Sequence, residues 1–134
     1  MKLISLSAGL LLAISTLSGQ NLIGYSYPEI RKYMTDKYRD MYCNSVSNSS
    51  FKYLKYTDNA ETSTFLFFLD KDSVCRSVKM IIDRGLQSEK EKELNSLYKK
   101  KEAAIWIDSH GGRNFVIVMK NGDYSSEITF EPEK

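Results

Sequence analysis

Residues 64–83, TFLFFLDKDSVCRSVKMIID, constrain the fold more than any other stretch of this chain. A continuous apolar run, Phe65 to Leu69, meets a polar break, Asp70-Lys71-Asp72-Ser73. Beyond the break, Val74 to Ile82 alternates. A run this short and aromatic fits a strand better than a helical turn, and the alternation has the period of a half-covered strand. The two segments predict a β-hairpin. With Lys71-Asp72 as a two-residue turn, Leu69 faces Val74 and Phe65 faces Val78. One face then carries Phe65, Phe67, Leu69, Val74, Val78, Met80 and Ile82. The other carries Leu66, Phe68, Cys75, Ser77, Lys79 and Ile81. The first face is the expected core, and the second is too apolar for an ordinary wet face.

The remaining segments fall into place around this hairpin. Ser26-Tyr27-Pro28-Glu29 has the form of a capping box with proline in the first turn. It predicts an amphipathic helix with Ile30, Tyr33, Met34, Tyr38, Met41 and Tyr42 on one stripe, fading near Cys43. Residues 44–50, NSVSNSS, have loop composition. Residues 51–57 alternate aromatic and polar side chains as a strand does. A second capping pattern, Ser88 with Glu91, predicts a more charged helix running to about Lys100, with Lys99-Lys100-Lys101 at its dipole-favoured end. Strands are expected around Trp106, over 115–120 and over 124–130. Asn121-Gly122 marks a hairpin turn that pairs Met119 with Tyr124, Ile117 with Ser126 and Phe115 with Ile128, and those residues with Phe130 form the expected core face of this hairpin. The order helix, three strands, helix, three strands predicts an α+β domain of two similar halves, 24–83 and 85–132. They share one antiparallel sheet with both helices on one face.

The chain has 134 residues, enough for one domain over 21–134. Residues 1–20 have the layout of a secretory signal peptide: Lys2, an apolar stretch to Leu17, then small and polar residues. The expected location is therefore periplasmic or secreted, with no membrane span after cleavage. Nineteen basic residues stand against 17 acidic ones, which is no signature of a nucleic-acid binder. In an oxidising compartment Cys43 and Cys75 are candidate disulfide partners, worth about 3–4 kcal/mol if bonded. The hairpin register places Cys75 on the face away from the helices, and spacing alone does not set bridge geometry. Asn48-Ser49-Ser50 fits an N-glycosylation acceptor, and Asp72-Ser73-Val74 a short O-glycosylation pattern.

Ile23-Gly24-Tyr25-Ser26-Tyr27-Pro28-Glu29-Ile30 resembles the opening motif of small periplasmic repeat modules. These are the modules of the outer-membrane-assembly lipoproteins and of the β-lactamase inhibitor protein. In them a glycine, a capping serine or threonine and an acidic residue open a helix before an antiparallel sheet. The helix–sheet layout is also similar to that of many short exported bacterial α+β proteins. The resemblance implies a non-catalytic binding module.

No motif specifies a reaction, a metal or a cofactor. His110, the only histidine, sits beside Gly111-Gly112 and has the form of a turn residue. An extracytoplasmic hydrolase using Cys75 or His110 is the enzymatic alternative. An envelope structural protein without a discrete ligand is the third class. The candidate binding surface is the sheet face away from the helices, with Leu66, Phe68, Ile81, Val116 and Val118. Trp106, or else the pair Ile105 and Ile107, joins them depending on the His110 turn. Tyr53 or Tyr56 adds an aromatic. Such a face suits a protein, a peptide or a small apolar ligand, and a homodimer is the other way to cover it.

Overall fold

Ser26 starts the first helix. Its hydroxyl accepts from the Glu29 amide at 3.4 Å, and its own amide donates to the Glu29 carboxylate at 2.9 Å. These bonds lower the Glu29 pKa. The computed structural model describes residues 21–47 and 51–134. The leader expected over 1–20 and the acceptor expected at Asn48-Ser49-Ser50 lie outside the described residues.

Helix α1 (Tyr27–Lys37) is followed by strands β1 (Met41–Ser47), β2 (Lys52–Asp58), β3 (Ser63–Leu69) and β4 (Cys75–Asp83). A 3₁₀ turn (Arg84–Leu86) leads into helix α2 (Gln87–Leu97). Strands β5 (Lys99–Glu102), β6 (Ile105–His110), β7 (Arg113–Asn121) and β8 (Ser125–Pro132) complete the chain. The result is α+β, with one eight-stranded sheet in the order β1-β2-β3-β4-β8-β7-β6-β5. Every pairing is antiparallel.

The sheet has eight strands, not the six expected, because both helices stop early. After α1 the Tyr38 amide still bonds to the Met34 carbonyl, but Tyr38 leaves the helical region. Met41 then starts a strand that pairs along its length with β2. Its helical stripe was continuous with α1, but cross-strand pairing prevails over that local pattern. At the second site Ser88 lies inside α2 and makes no cap. The N-cap position is Leu86, with no side-chain bond. Lys99-Lys100-Lys101 extends as β5 at the sheet's far edge, where exposed lysines blunt the open rim.

Face assignments held where registers did not, except at Cys75 and Tyr124. In the β3–β4 hairpin Phe65 pairs with Met80 and Phe67 with Val78, two positions away from the expected register. The turn is longer because Asp70 organises it: its carboxylate accepts from the amides of Asp72 (2.9 Å) and Val74 (3.1 Å). A register shift beside Leu69 then pairs it with Cys75, which brings Cys75 onto the buried face rather than the opposite one. At Asn121 the tight two-residue turn does not form. Asn121 pairs with Ser126, whose hydroxyl donates to the Asn121 side chain at 2.8 Å, so Met119 faces Ile128 and Tyr124 is left 89% exposed. The two-residue turn belongs instead to Gly111 and Gly112, between paired His110 and Arg113. Both glycines have positive φ, 59° and 74°.

One face of the sheet is dry. Leu54, Tyr56, Phe65, Phe67, Val78, Met80, Ile82, Trp106, Phe115, Ile117, Ile128 and Phe130 belong to a single buried cluster with Ile30 and Met34 of α1 and Leu94 of α2. The Tyr38 ring meets Phe65 edge-on at 5.0 Å, and Tyr98 meets Phe130 at 6.1 Å. The lead-in joins the same cluster through Leu22 and Ile23. It is fastened to the start of β4 by Gly24 N–H to the Cys75 carbonyl and Cys75 N–H to the Tyr25 carbonyl, both 2.8 Å. Gly24 turns there with φ of 94°.

Asp58 ends β2 by accepting from the Thr62 hydroxyl and from the amides of Thr62 (2.8 Å) and Ser63 (3.1 Å). The Thr62 hydroxyl is the main cause of its lowered pKa. A lowered carboxylate contributes stability that is present above its ordinary value of 3.8 and is lost as pH falls through the folded value. Solvent screening keeps that contribution below about 1 kcal/mol. Acid unfolding of Asp58→Asn, followed by circular dichroism, is therefore expected to lose part of the wild-type slope below this value, with neutral stability lower than wild type by that same contribution, under about 1 kcal/mol.

Candidate functional site

The outer face of the sheet carries the side chains that alternate with the dry set. Register arranges them in rows. Val46, Tyr53 and Phe68 lie opposite one another across β1, β2 and β3. The Phe51 ring stacks on Tyr53 at 5.8 Å with an 18° tilt, and Tyr53 lies 6.0 Å from Phe68. Leu66 sits one row on, opposite Lys55 and Lys79. On the other half, Ile105 pairs with Val118 and Ile107 with Val116. Leu66, Phe68, Val116, Val118, Ile105 and Ile107 are all half-buried.

A mostly polar band lies between these two apolar groups. On β4 and β8 Lys79 pairs with Thr129 and the half-buried Ile81 with Glu127, and the Lys79 ammonium lies 4.0 Å from the Glu127 carboxylate. Both charges are solvated, so the pair adds little stability. It does keep the centre of this face from being continuously apolar.

Trp106 does not belong to this surface. It has no exposed area, and its indole N–H donates to the Asn95 side chain of α2 at 2.8 Å. Lys100, its cross-strand partner, places its ammonium 5.9 Å from the indole centre. The short Gly111-Gly112 turn sets this register, so Ile105 and Ile107 take the outer positions instead. Tyr53 likewise takes the outer position and Tyr56 the dry one. Val46 had no legible signal because β1 was not apparent in the sequence. Phe51 was visible as an aromatic, but its stacking partner was not.

The candidate catalytic residues lie apart from this face. His110 Nδ1 lies 3.0 Å from the Asp108 carboxylate, and its ring stacks on Phe115 at 4.7 Å. Asn21 donates to the same Asp108 oxygen at 2.9 Å, so the pair ties the lead-in to β6. Among the described residues, no group of three or more His, Cys, Asp or Glu is placed to hold a metal ion. Cys43 and Cys75 are both free thiols, and the bridge between them does not form. They sit on β1 and β4, with β2 and β3 between them. Burial pushes the Cys75 thiol up to about 12, and the nearby Asp70 charge adds to it, so Cys75 is not a thiolate at neutral pH. Two shallow grooves of about 290 Å³ each flank Tyr38 and Arg39 at the junction of α1 and β1. Among the described residues, no helix is long and apolar enough to cross a membrane.

No protein-family model, no curated protein and no solved structure matches this chain.

Two measurements check these placements. Trp106→Ala is expected to cost about 3–5 kcal/mol in denaturant unfolding, the range for removing a large buried aromatic. A loss under 1 kcal/mol would return Trp106 to the surface. Thiol labelling of the native protein at neutral pH is expected to modify Cys43 and to reach Cys75 only on unfolding.

Proposed function

We propose that this protein is an exported, non-catalytic binding module that uses the outer face of its sheet. The observation that carries the reading is the aromatic row Phe51, Tyr53 and Phe68. Three rings in a chain of contacts, Phe51 on Tyr53 and Tyr53 on Phe68, are flanked by Val46 and Leu66 on a face whose opposite side already forms a core. Apolar side chains not needed for the core and not fully covered are the ordinary signature of a contact surface. The second group, Ile105, Ile107, Val116 and Val118, gives a partner another apolar foothold. The Lys79–Glu127 band between them suits a partner with polar groups at its centre. An extended protein segment or peptide meets that alternation better than a uniformly apolar ligand does.

The proposal includes the architecture that frees this face. The chain is taken as two halves of like build, 24–83 and 85–132, each a helix followed by four strands, with both helices against the dry face. Three observations support it: the mirror-like strand order, the Tyr38 ring on Phe65, and the Asn95 and Tyr98 contacts to Trp106 and Phe130. The Gly24–Glu29 opening motif, which forms its capping box, favours the kinship with periplasmic repeat modules. The leader-like residues 1–20 favour export. Cys75, buried and protonated at neutral pH, argues against the hydrolase alternative.

An apolar fluorescent probe, anilinonaphthalene sulfonate, tests the face directly. Burying an apolar side chain contributes about 1.5–3 kcal/mol at most. The double variant Phe68→Ser/Val116→Ser is thus expected to weaken probe binding tenfold or more while circular dichroism stays unchanged. Equal binding by wild type and variant would count against the face as the site.

A further inference from the structure

The two rims of this sheet are built differently. At one end β5, Lys-Lys-Lys-Glu, exposes all four residues. At the other end β1, Met-Tyr-Cys-Asn-Ser-Val-Ser, has no charge and no proline. Its Tyr42 is 47% exposed and its Val46 37% exposed, and Asn44, Ser45 and Ser47 are exposed as well. A terminal strand leaves the N–H and C=O groups of every second residue without a sheet partner, and natural sheets blunt such rims with lysine, proline or bulges. Here β5 is blunted and β1 is not, although β1 is the longer of the two at seven residues against four.

We propose that β1 is a pairing edge whose occupant is the β1 strand of a second copy of this chain, antiparallel about a two-fold axis at Asn44. The sequence of β1 matches itself in that register. Tyr42 lies opposite the partner's Val46, Cys43 opposite the partner's Ser45, Met41 opposite the partner's Ser47, and Asn44 opposite its own equivalent. All seven residues are used. Tyr42 and Val46, the two exposed apolar side chains of the strand, cover each other on the outer face. The partner's Tyr42 then extends the row Val46, Tyr53, Phe68. The competing arrangements are worse. Two β5 edges would set Lys100 opposite Lys101 even in the register that places Lys99 opposite Glu102. A β1 edge on a β5 edge would repeat without closing and would offer the lysines no counter-charge. Two-fold β1 pairing closes on itself and leaves only lysine rims outermost.

This inference is independent of the outer-face reading, since Asn44→Lys leaves Phe68 and Val116 untouched. Sedimentation of the chain over 21–134 at micromolar to submillimolar concentration is expected to show reversible dimerisation. Asn44→Lys sets like charges across the axis and is expected to weaken the dimer at least tenfold, with circular dichroism unchanged because the side chain is exposed. Lys101→Ser, on the opposite rim, is expected to change nothing. As a second readout, Cys43→Ser/Asn44→Cys is expected to form a disulfide-linked dimer under mild oxidation. A wild type that stays monomeric throughout would overturn the proposal, as would a dimer indifferent to Asn44→Lys or a failure of the cysteine variant to cross-link. An edge used instead by an extended segment of another protein would appear as the first of these outcomes.

Discussion

The structure depends on the pairing of β4 with β8. These are the last strands of the first and second meanders, and they meet at the middle of the sheet. Val78 faces Phe130 and Met80 faces Ile128, all four at or near zero exposure. Removing this seam would leave two four-stranded meanders, each with a bare inner edge and a core open along one side. A small sheet of that kind buries too little apolar area to balance the entropy of ordering it. The seam makes one contiguous dry face from two insufficient ones. Every other strand is attached, directly or through neighbours, to this pair.

What was legible in the sequence follows from what sets each feature. The face of a strand is set by apolar alternation, which is written residue by residue. Phe65, Phe67, Leu69, Val78, Met80 and Ile82 therefore emerged as core, as did Phe115, Ile117, Met119, Ile128 and Phe130. Register is set by turns, and turns depend on small competitions between side-chain and backbone hydrogen bonds. Asp70 and Asn121 both used their side chains to widen a turn, by even numbers of residues, so the faces survived while the partners changed. The bulge beside Leu69 was the exception, and it alone moved Cys75 across the sheet.

The two strands that escaped notice share a cause. Strand β1 continues the apolar spacing of α1, and β5 consists of residues with low strand propensity. Neither has a local reason to be extended. Both are extended because a neighbouring strand, β2 or β6, offers a row of unpaired backbone groups. That information lies in the tertiary structure. The same limit applied to the candidate surface: Leu66, Phe68, Val116 and Val118 followed from alternation, whereas Trp106 turned on the length of a single glycine turn.

The position of β8 has a consequence for how the molecule comes into being. Strand β4 is complete at residue 83, yet its central neighbour begins only at residue 125. A chain emerging from its N-terminus must therefore wait for nearly all of its length before the seam can zip. Until then β4 presents an unsheltered margin, and the first meander is an adhesive fragment rather than a finished unit. Contacts this distant along the chain make for slow maturation. A polypeptide so constructed acquires its rigidity only once the final strand arrives.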